Sequence, residues 1–264
     1  MKLIDFHTHV YPESIAQKAT QNVIDFYDLK EGLGDKCGTS KVLIECGKQA
    51  NIEKFVILPV ALKPNTVRHV NEAALYEVNN HKELYGFGTV HAEMDDILGE
   101  VDFIQKAGLK GVKIHPDTQR FNIDDERLFP MYDYLQGKMP MMIHCGDPRY
   151  DFSHPERLKR VLDNFPKLTV IGAHLGGWML FEEALELLKD TSCFVDMCSS
   201  HMFMPEGAIK KYINGYGSDR VLFGSDFPLW DPIKEAEYLL NLDIPYDQKE
   251  KIAYKNAMNL LEKN

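Results

Sequence analysis

Apolar positions fall into short unbroken runs separated by longer stretches in which they recur every three or four residues. The runs are Lys2–Phe6, Phe55–Val60, Leu84–Val90, Gly111–His115, Met141–His144, Thr169–Ala173, Cys193–Met197 and Arg220–Phe223. Continuous rather than alternating apolarity suits strands buried on both faces, as in a parallel sheet. The stretches between them predict helices over Thr39–Ala50, Thr66–His81, Asp95–Ala107, Asp125–Gln136, Pro155–Asn164, Gly177–Lys189, Glu206–Gly215 and Pro232–Leu240. In Pro155–Asn164 a proline occupies the first turn, where its missing N–H costs nothing. A last helix, Asp247–Leu261, gathers Ile252, Ala253, Ala257, Leu260 and Leu261 on one side and is expected to cover the outside or bottom of the fold.

Eight β–α units in 264 residues match one (β/α)₈ TIM barrel, a single domain over residues 1–264. A doubly wound open sheet is the alternative, but no GxGxxG follows the first strand. Residues 11–40 form the longest interval between strands and are expected to insert a helix or lid over the site.

Composition narrows the functional class. The chain is 44% hydrophobic and 27% charged, which is globular, and its formal charge is −10. No Lys/Arg cluster offers a nucleic-acid or anionic-membrane surface, so the expected partner is a small molecule, with a homodimer left open. Five cysteines without a CxxC pair argue against a disulfide framework. The first residues lack an apolar signal core, and no run of 18 apolar residues occurs. A cytoplasmic protein is the expectation.

The histidines carry the chemical signal. Of ten, His7, His9, His115, His144 and His174 sit at or just past the ends of predicted strands, and His91 follows the third. A barrel gathers those ends at one mouth, where active sites lie. His7 and His9, two residues apart on a strand, face the same way and can reach one ion. Asp226 ends the eighth unit. Imidazoles plus a carboxylate suit Zn²⁺, or Mn²⁺, Fe²⁺ or Co²⁺. Each histidine alone reads as a hydrogen-bonded structural residue; the repeated placement reads as a metal site. His69, His81 and His154 fall on or near helices and read as surface.

Five segments, Ile4–His9, Gly111–Pro116, Ile143–Gly146, Ala173–Gly177 and Phe223–Pro228, together resemble the amidohydrolase superfamily, specifically its amidohydrolase-related branch. That branch includes hydrolases and decarboxylases similar to aminocarboxymuconate-semialdehyde decarboxylase. The resemblance implies that His7, His9, His144 and Asp226 hold one principal divalent ion, zinc first. It implies that His174 ligates a second ion or contacts substrate and water. Many binuclear members carry a carboxylated lysine near the position of Lys113; the plain-lysine reading is favoured.

Around the mouth, Arg149 is expected to contact a substrate carboxylate, with pairing to Asp147 or Asp151 as the structural reading. Lys113 and His115, two residues apart on the fourth strand, both point inward, so either can face the substrate. Trp178 suits stacking on a ring, or helix packing. Cys145 and Cys198 read as small packing residues. The leading expectation is hydrolysis of a C–N, ester or lactone bond by a metal-activated water, with Asp226 as proton shuttle and His174 stabilising the oxyanion. The second is non-oxidative decarboxylation of a small aromatic or unsaturated acid. A non-catalytic scaffold has no need for Asp226 beside convergent histidines.

Overall fold

The computed structural model describes residues 1–29 and 36–262. Among them the strands are β1 (Leu3–Thr8), β2 (Ile52–Ile57), β3 (Leu84–Gly86), β4 (Gly88–Thr89), β5 (Val112–Ile114), β6 (Met141–Ile143), β7 (Val170–Gly172), β8 (Phe194–Asp196) and β9 (Val221–Leu222). All pair in parallel, β1 to β3 in one ladder and β4 to β9 in the next. The Phe6 N–H donates to the Phe223 carbonyl at 2.9 Å and the His9 N–H to that of Phe227 at 2.7 Å, joining the last unit to the first. β3 and β4 are one predicted strand, interrupted at Phe87. With those two counted as one, the nine strands fill the eight positions of a (β/α)₈ barrel.

The second strand begins earlier than the sequence pattern predicts. Asn51, left-handed at φ 57°, ends helix Ser40–Ala50, and Ile52 starts β2 immediately. Polar Glu53 and Lys54 hide that start from an apolarity count. Helix Pro155–Asn164 matches its predicted bounds. Asp96 and Asp231 cap the helices that follow them by accepting the N–H of Gly99 (2.8 Å) and Ile233 (3.0 Å).

The barrel interior is an apolar cluster of Ile4, Phe6, Val56, Leu58, Phe87, Met142, Ile171, Ala173 and Leu222. Ala257, Leu260 and Leu261 of the C-terminal helix join it, so that helix plugs the bottom. Each such fully buried aliphatic side chain contributes about 1.5–3 kcal/mol. Above β1, helix Ala16–Tyr27 is the insertion expected in residues 11–40; residues 30–35 of that stretch lie outside the described residues. None of the described helices is long and apolar enough to cross a membrane.

Candidate metal centre and active site

The strand ends bring the predicted residues together. His7 and His9 leave β1 with their Nε2 atoms 3.2 Å apart. Asp226 Oδ1 stands 3.6 Å from His7 Nε2 and 3.4 Å from His9 Nε2. Bonds of about 2.0–2.2 Å to a tetrahedral ion put neighbouring ligand atoms roughly 3.3–3.6 Å apart, so the triangle has the size of a metal's donor face.

The remaining ring nitrogens explain why these atoms converge. His9 Nδ1 donates to the Leu58 carbonyl at 2.7 Å, which places the ring proton there. His7 Nδ1 faces the Asp196 carboxylate at 2.7 Å. Both Nε2 lone pairs therefore point at one another and at a carboxylate, an arrangement that favours a cation between them. Outer partners of this kind fix ring orientation in metal sites and raise ligand basicity. Burial keeps His7 below the usual histidine range, with Lys113 pushing the same way. Burial alone would raise Asp226, but His7, His9 and His174 around it hold its carboxyl well below the usual carboxylate range. Asp196 behaves alike: burial opposes ionisation, His7 outweighs it, and its carboxyl is held down to about 2.

His174 and His144 extend the cluster. The His174 ring stacks on His7 with centroids 5.1 Å apart, and its Nε2 lies 3.1 Å from His144 Nδ1. Burial first pushes His174 down to about 4, which keeps it neutral. His144 Nε2 sits 3.2 Å from the Tyr27 hydroxyl and 3.6 Å from Asp117 Oδ2. His115 stacks on His144 at 3.8 Å, and its Nε2 is 2.8 Å from the same hydroxyl. His174, Leu175, Ser199 and Asp226 all take left-handed backbone angles, φ 48° to 61°. Such residues cost of order 1–3 kcal/mol each and concentrate where function requires them.

A cavity of about 360 Å³ opens on this cluster. Its walls include Phe26 and Tyr27 of the inserted helix, Trp178, Phe203 and Trp230. Trp178 therefore reaches the cavity, edge-on to Tyr27 at 5.1 Å. Its backbone N–H donates to the Cys145 carbonyl at 2.7 Å. That close approach needs a glycine at 146, where a Cβ would lie 2.1 Å from the Trp178 nitrogen.

Two predicted substrate contacts, Arg149 and Lys113, do not line the cavity. The Arg149 Nε and Nη2 donate to Asp147 Oδ1 (2.9 Å) and Oδ2 (2.6 Å), and its Nη1 to the Phe26 carbonyl (2.6 Å). The buried Asp147 carboxylate claims the guanidinium, which is the structural reading of this residue. Lys113 lies wholly inside the barrel, and its Nζ has no hydrogen-bond partner. Burial lowers its pKa. His91 packs edge-on against Phe121 at 5.3 Å, away from the cavity.

Several site groups stand outside the histidine pattern of the sequence. Asp196 ends an apolar strand and carries the same positional signal as His144. Arg120 lines the cavity and lies over the Tyr150 ring at 4.7 Å. Asp117, buried beside His144 and pushed up to about 7 by that burial, follows His115 by two residues. Tyr27 had no signal beyond lying in the inserted stretch.

The amidohydrolase family profile matches residues 4–263. The chain belongs to this family. None of the curated proteins matches it in sequence. Among solved structures, an uncharacterized TIM-barrel protein from Bordetella bronchiseptica is 22% identical, with a TM-score of 0.84 over 100% of this chain and 99% of that one. A 2,6-dihydroxybenzoate decarboxylase complexed with 2,6-dihydroxybenzoate is 15% identical, with a TM-score of 0.76 over 99% of both chains. A dihydroxybenzoic acid decarboxylase from Polaromonas, with bound manganese and the inhibitor 2-nitroresorcinol, is 14% identical, with a TM-score of 0.74 over 99% of this chain and 97% of that one. These TM-scores establish the shared barrel and, at identities this low, the fold alone; the amidohydrolase fold read from the sequence stands.

Proposed function

We propose that this amidohydrolase-family protein is a metal-dependent, non-oxidative decarboxylase of a small hydroxylated aromatic acid. The observation that carries the reading is the donor triangle of His7, His9 and Asp226 opening onto an aromatic-walled cavity of about 360 Å³. That volume suits one substituted ring, and Tyr27, Trp178, Phe203 and Trp230 offer flat apolar faces to it. The chain's similarity in fold to hydroxybenzoate decarboxylases supports the same choice.

His7, His9 and Asp226 would hold one divalent ion, with His144 and His174 as the nearest further imidazoles. Zinc and manganese both suit this nitrogen and oxygen set. When bound, the ion anchors the oxygens of the acid and neutralises their charge. Asp226 carries the proton. Held ionised by three histidines, it takes the proton of the substrate's ring hydroxyl and returns it to the carbon bearing the carboxylate. The C–C bond then breaks, its electron pair restores the ring, and carbon dioxide leaves. The product is released as a phenolate that takes up a proton from solvent, so the net change is ArCO₂⁻ plus a proton giving ArH and CO₂. Trp178 and Tyr27 orient the ring, and the roof helix excludes water.

Hydrolysis is the second reading. The observation favouring it is the same ionised Asp226, which suits a base for a water proton. Product analysis separates the two. Metal-loaded protein with carboxyl-¹³C 2,6-dihydroxybenzoate and related hydroxybenzoates should release ¹³CO₂. Turnover of an amide or lactone panel with no CO₂ from any acid would replace decarboxylation by hydrolysis. Asp226→Asn, assayed at a metal concentration that saturates its weakened site, should still lose about 10²–10⁴ in rate, the usual worth of a proton-transfer group. Full rescue by added metal would reduce Asp226 to a ligand.

A further inference from the structure

The inserted helix Ala16–Tyr27 is held lightly for an element that roofs an active site. Only Ala16, Thr20 and Ile24 of it are buried. Its other face, Ala19, Asn22, Val23, Phe26 and Tyr27, lines the cavity. Those positions recur at three- and four-residue spacing and so share one side of the helix. Its C-terminal end delivers the Tyr27 hydroxyl to within 2.8 Å of His115 Nε2 and 3.2 Å of His144 Nε2.

That end is fastened from the loop after β6. Asp147 is fully buried and grips the Arg149 guanidinium through both carboxylate oxygens, at 2.9 and 2.6 Å. The remaining guanidinium nitrogen donates to the Phe26 carbonyl at 2.6 Å, one of the helix-end carbonyls that lack an intrahelical donor. The guanidinium carbon also lies 5.1 Å from the Phe26 ring centroid and 5.4 Å from that of Tyr27. A cation at a helix C-terminus is electrostatically favoured as well. One arginine thus joins a buried carboxylate, a helix-end carbonyl and the faces of two consecutive rings.

We propose that Arg149 is a positioning residue: together with Asp147 it clamps the end of the roof helix, and it serves the site by keeping Tyr27 between His115 and His144. The inference assigns a device to the site described above, and it takes from the functional reading only that the cavity receives the substrate. Arg149 itself never meets the ligand. Its planar fork reaches Asp147 and Phe26 at once, which a lysine's single ammonium does not. Arg149→Lys therefore keeps a positive charge for Asp147 while releasing the helix end.

The test uses metal-loaded protein in a Trp230→Phe background, so that Trp178, in edge contact with Tyr27, is the one tryptophan reporter. Arg149→Lys should red-shift Trp178 emission and raise its quenching by acrylamide, with unfolding still a single cooperative transition. Tyr27→Phe keeps the ring contact and should leave the emission as it was. Calorimetric titration with 2,6-dihydroxybenzoate, made on the same variants with Trp230 intact because that ring lines the cavity, supplies the second readout. Each single variant should weaken binding by about tenfold, the scale of one lost hydrogen bond. The double variant should bind no more weakly than the worse single, because both act through one hydroxyl. Unshifted Trp178 emission in Arg149→Lys, or additive losses in the double variant, would overturn the clamp. If the parent binds no 2,6-dihydroxybenzoate while Arg149→Lys still shifts the emission, the clamp stands and the substrate reading fails.

Discussion

Buried polar groups crowd both ends of this barrel, and the two ends treat them differently. At the bottom, Asn256 donates to the carbonyls of Ser218 and Val221, at 2.8 and 2.7 Å. Arg220 there spends its guanidinium on the carbonyls of Tyr216, Lys189, Thr191 and Cys193. Their donors end on backbone, and the result is a pinned set of loops. Toward the mouth, Lys113 Nζ, His115 Nδ1 and Asp117 Oδ1 are buried without a partner, and two imidazole lone pairs converge on Asp226. Folding alone gains nothing from such an arrangement, since an unmet buried polar group costs about 1–3 kcal/mol. Gln248 Oε1 near the bottom is also unpartnered, so what sets the mouth apart is a cluster of such groups rather than a single unmet atom.

The contrast is most exposed at Asp196, which belongs to the mouth yet is fully satisfied. It binds His7 Nδ1 at 2.7 Å and accepts the His174 N–H at 2.9 Å. If it serves the metal, Asp196→Asn should weaken divalent-metal binding by about 10–100-fold, the usual cost of losing an outer-shell carboxylate. Chelator competition measures this directly. Unchanged affinity would place Asp196 with the fold-holding residues and erase the distinction at its centre.

Lys113 and Asn256 give a pair of experiments with opposite signs. Lys113→Met removes a buried amine with no partner and keeps the stem's volume, so it should stabilise the protein by about 1–3 kcal/mol in urea unfolding while impairing the site. Asn256→Leu strips two carbonyls of their donor and should destabilise by about 1–3 kcal/mol. A destabilised Lys113→Met would show that the amine is paired in solution, and the mouth would lose part of its claim to being chemically strained.

The fold was legible because each unit repeats one physical pattern, a doubly buried strand followed by an amphipathic helix. The His-x-His pair and Asp226 were equally legible, since strand-end position alone sends them to one mouth, and the structure brings them within 3.6 Å of one another. Arg149 was not. Its sequence neighbourhood marks a mouth loop, but whether a guanidinium faces the cavity or a buried Asp147 depends on the backbone of that loop. Tyr27 was illegible for a different reason: it arrives on an inserted helix, so no repeat register places it. Asp196 was readable from its strand-end position, hidden only by the histidines' greater prominence.

The smallest expected effect tests whether pairing beyond the cluster merely holds structure. Asp124 Oδ1 accepts from Arg157 Nη1 at 2.7 Å and its Oδ2 from Arg160 Nε at 2.8 Å, tying the loop after Phe121 to helix Pro155–Asn164. Burial alone would raise its pKa, but the two arginine hydrogen bonds outweigh burial and hold it below the ordinary carboxylate value. The unfolded chain, with Asp near 3.9, therefore takes up the proton first as the pH falls. The pair's stabilisation is complete above that value and is lost as the pH drops through the lower folded value. Because these side chains are partly exposed and screened, Asp124→Asn should cost only about 0.5–1 kcal/mol at pH 7. Urea unfolding of variant and parent from pH 7 to pH 3 should show that gap closing below about pH 4. A gap that persists there would mean that Asp124 contributes by packing or neutral hydrogen bonding, and metal content and turnover should remain at parental levels in either case.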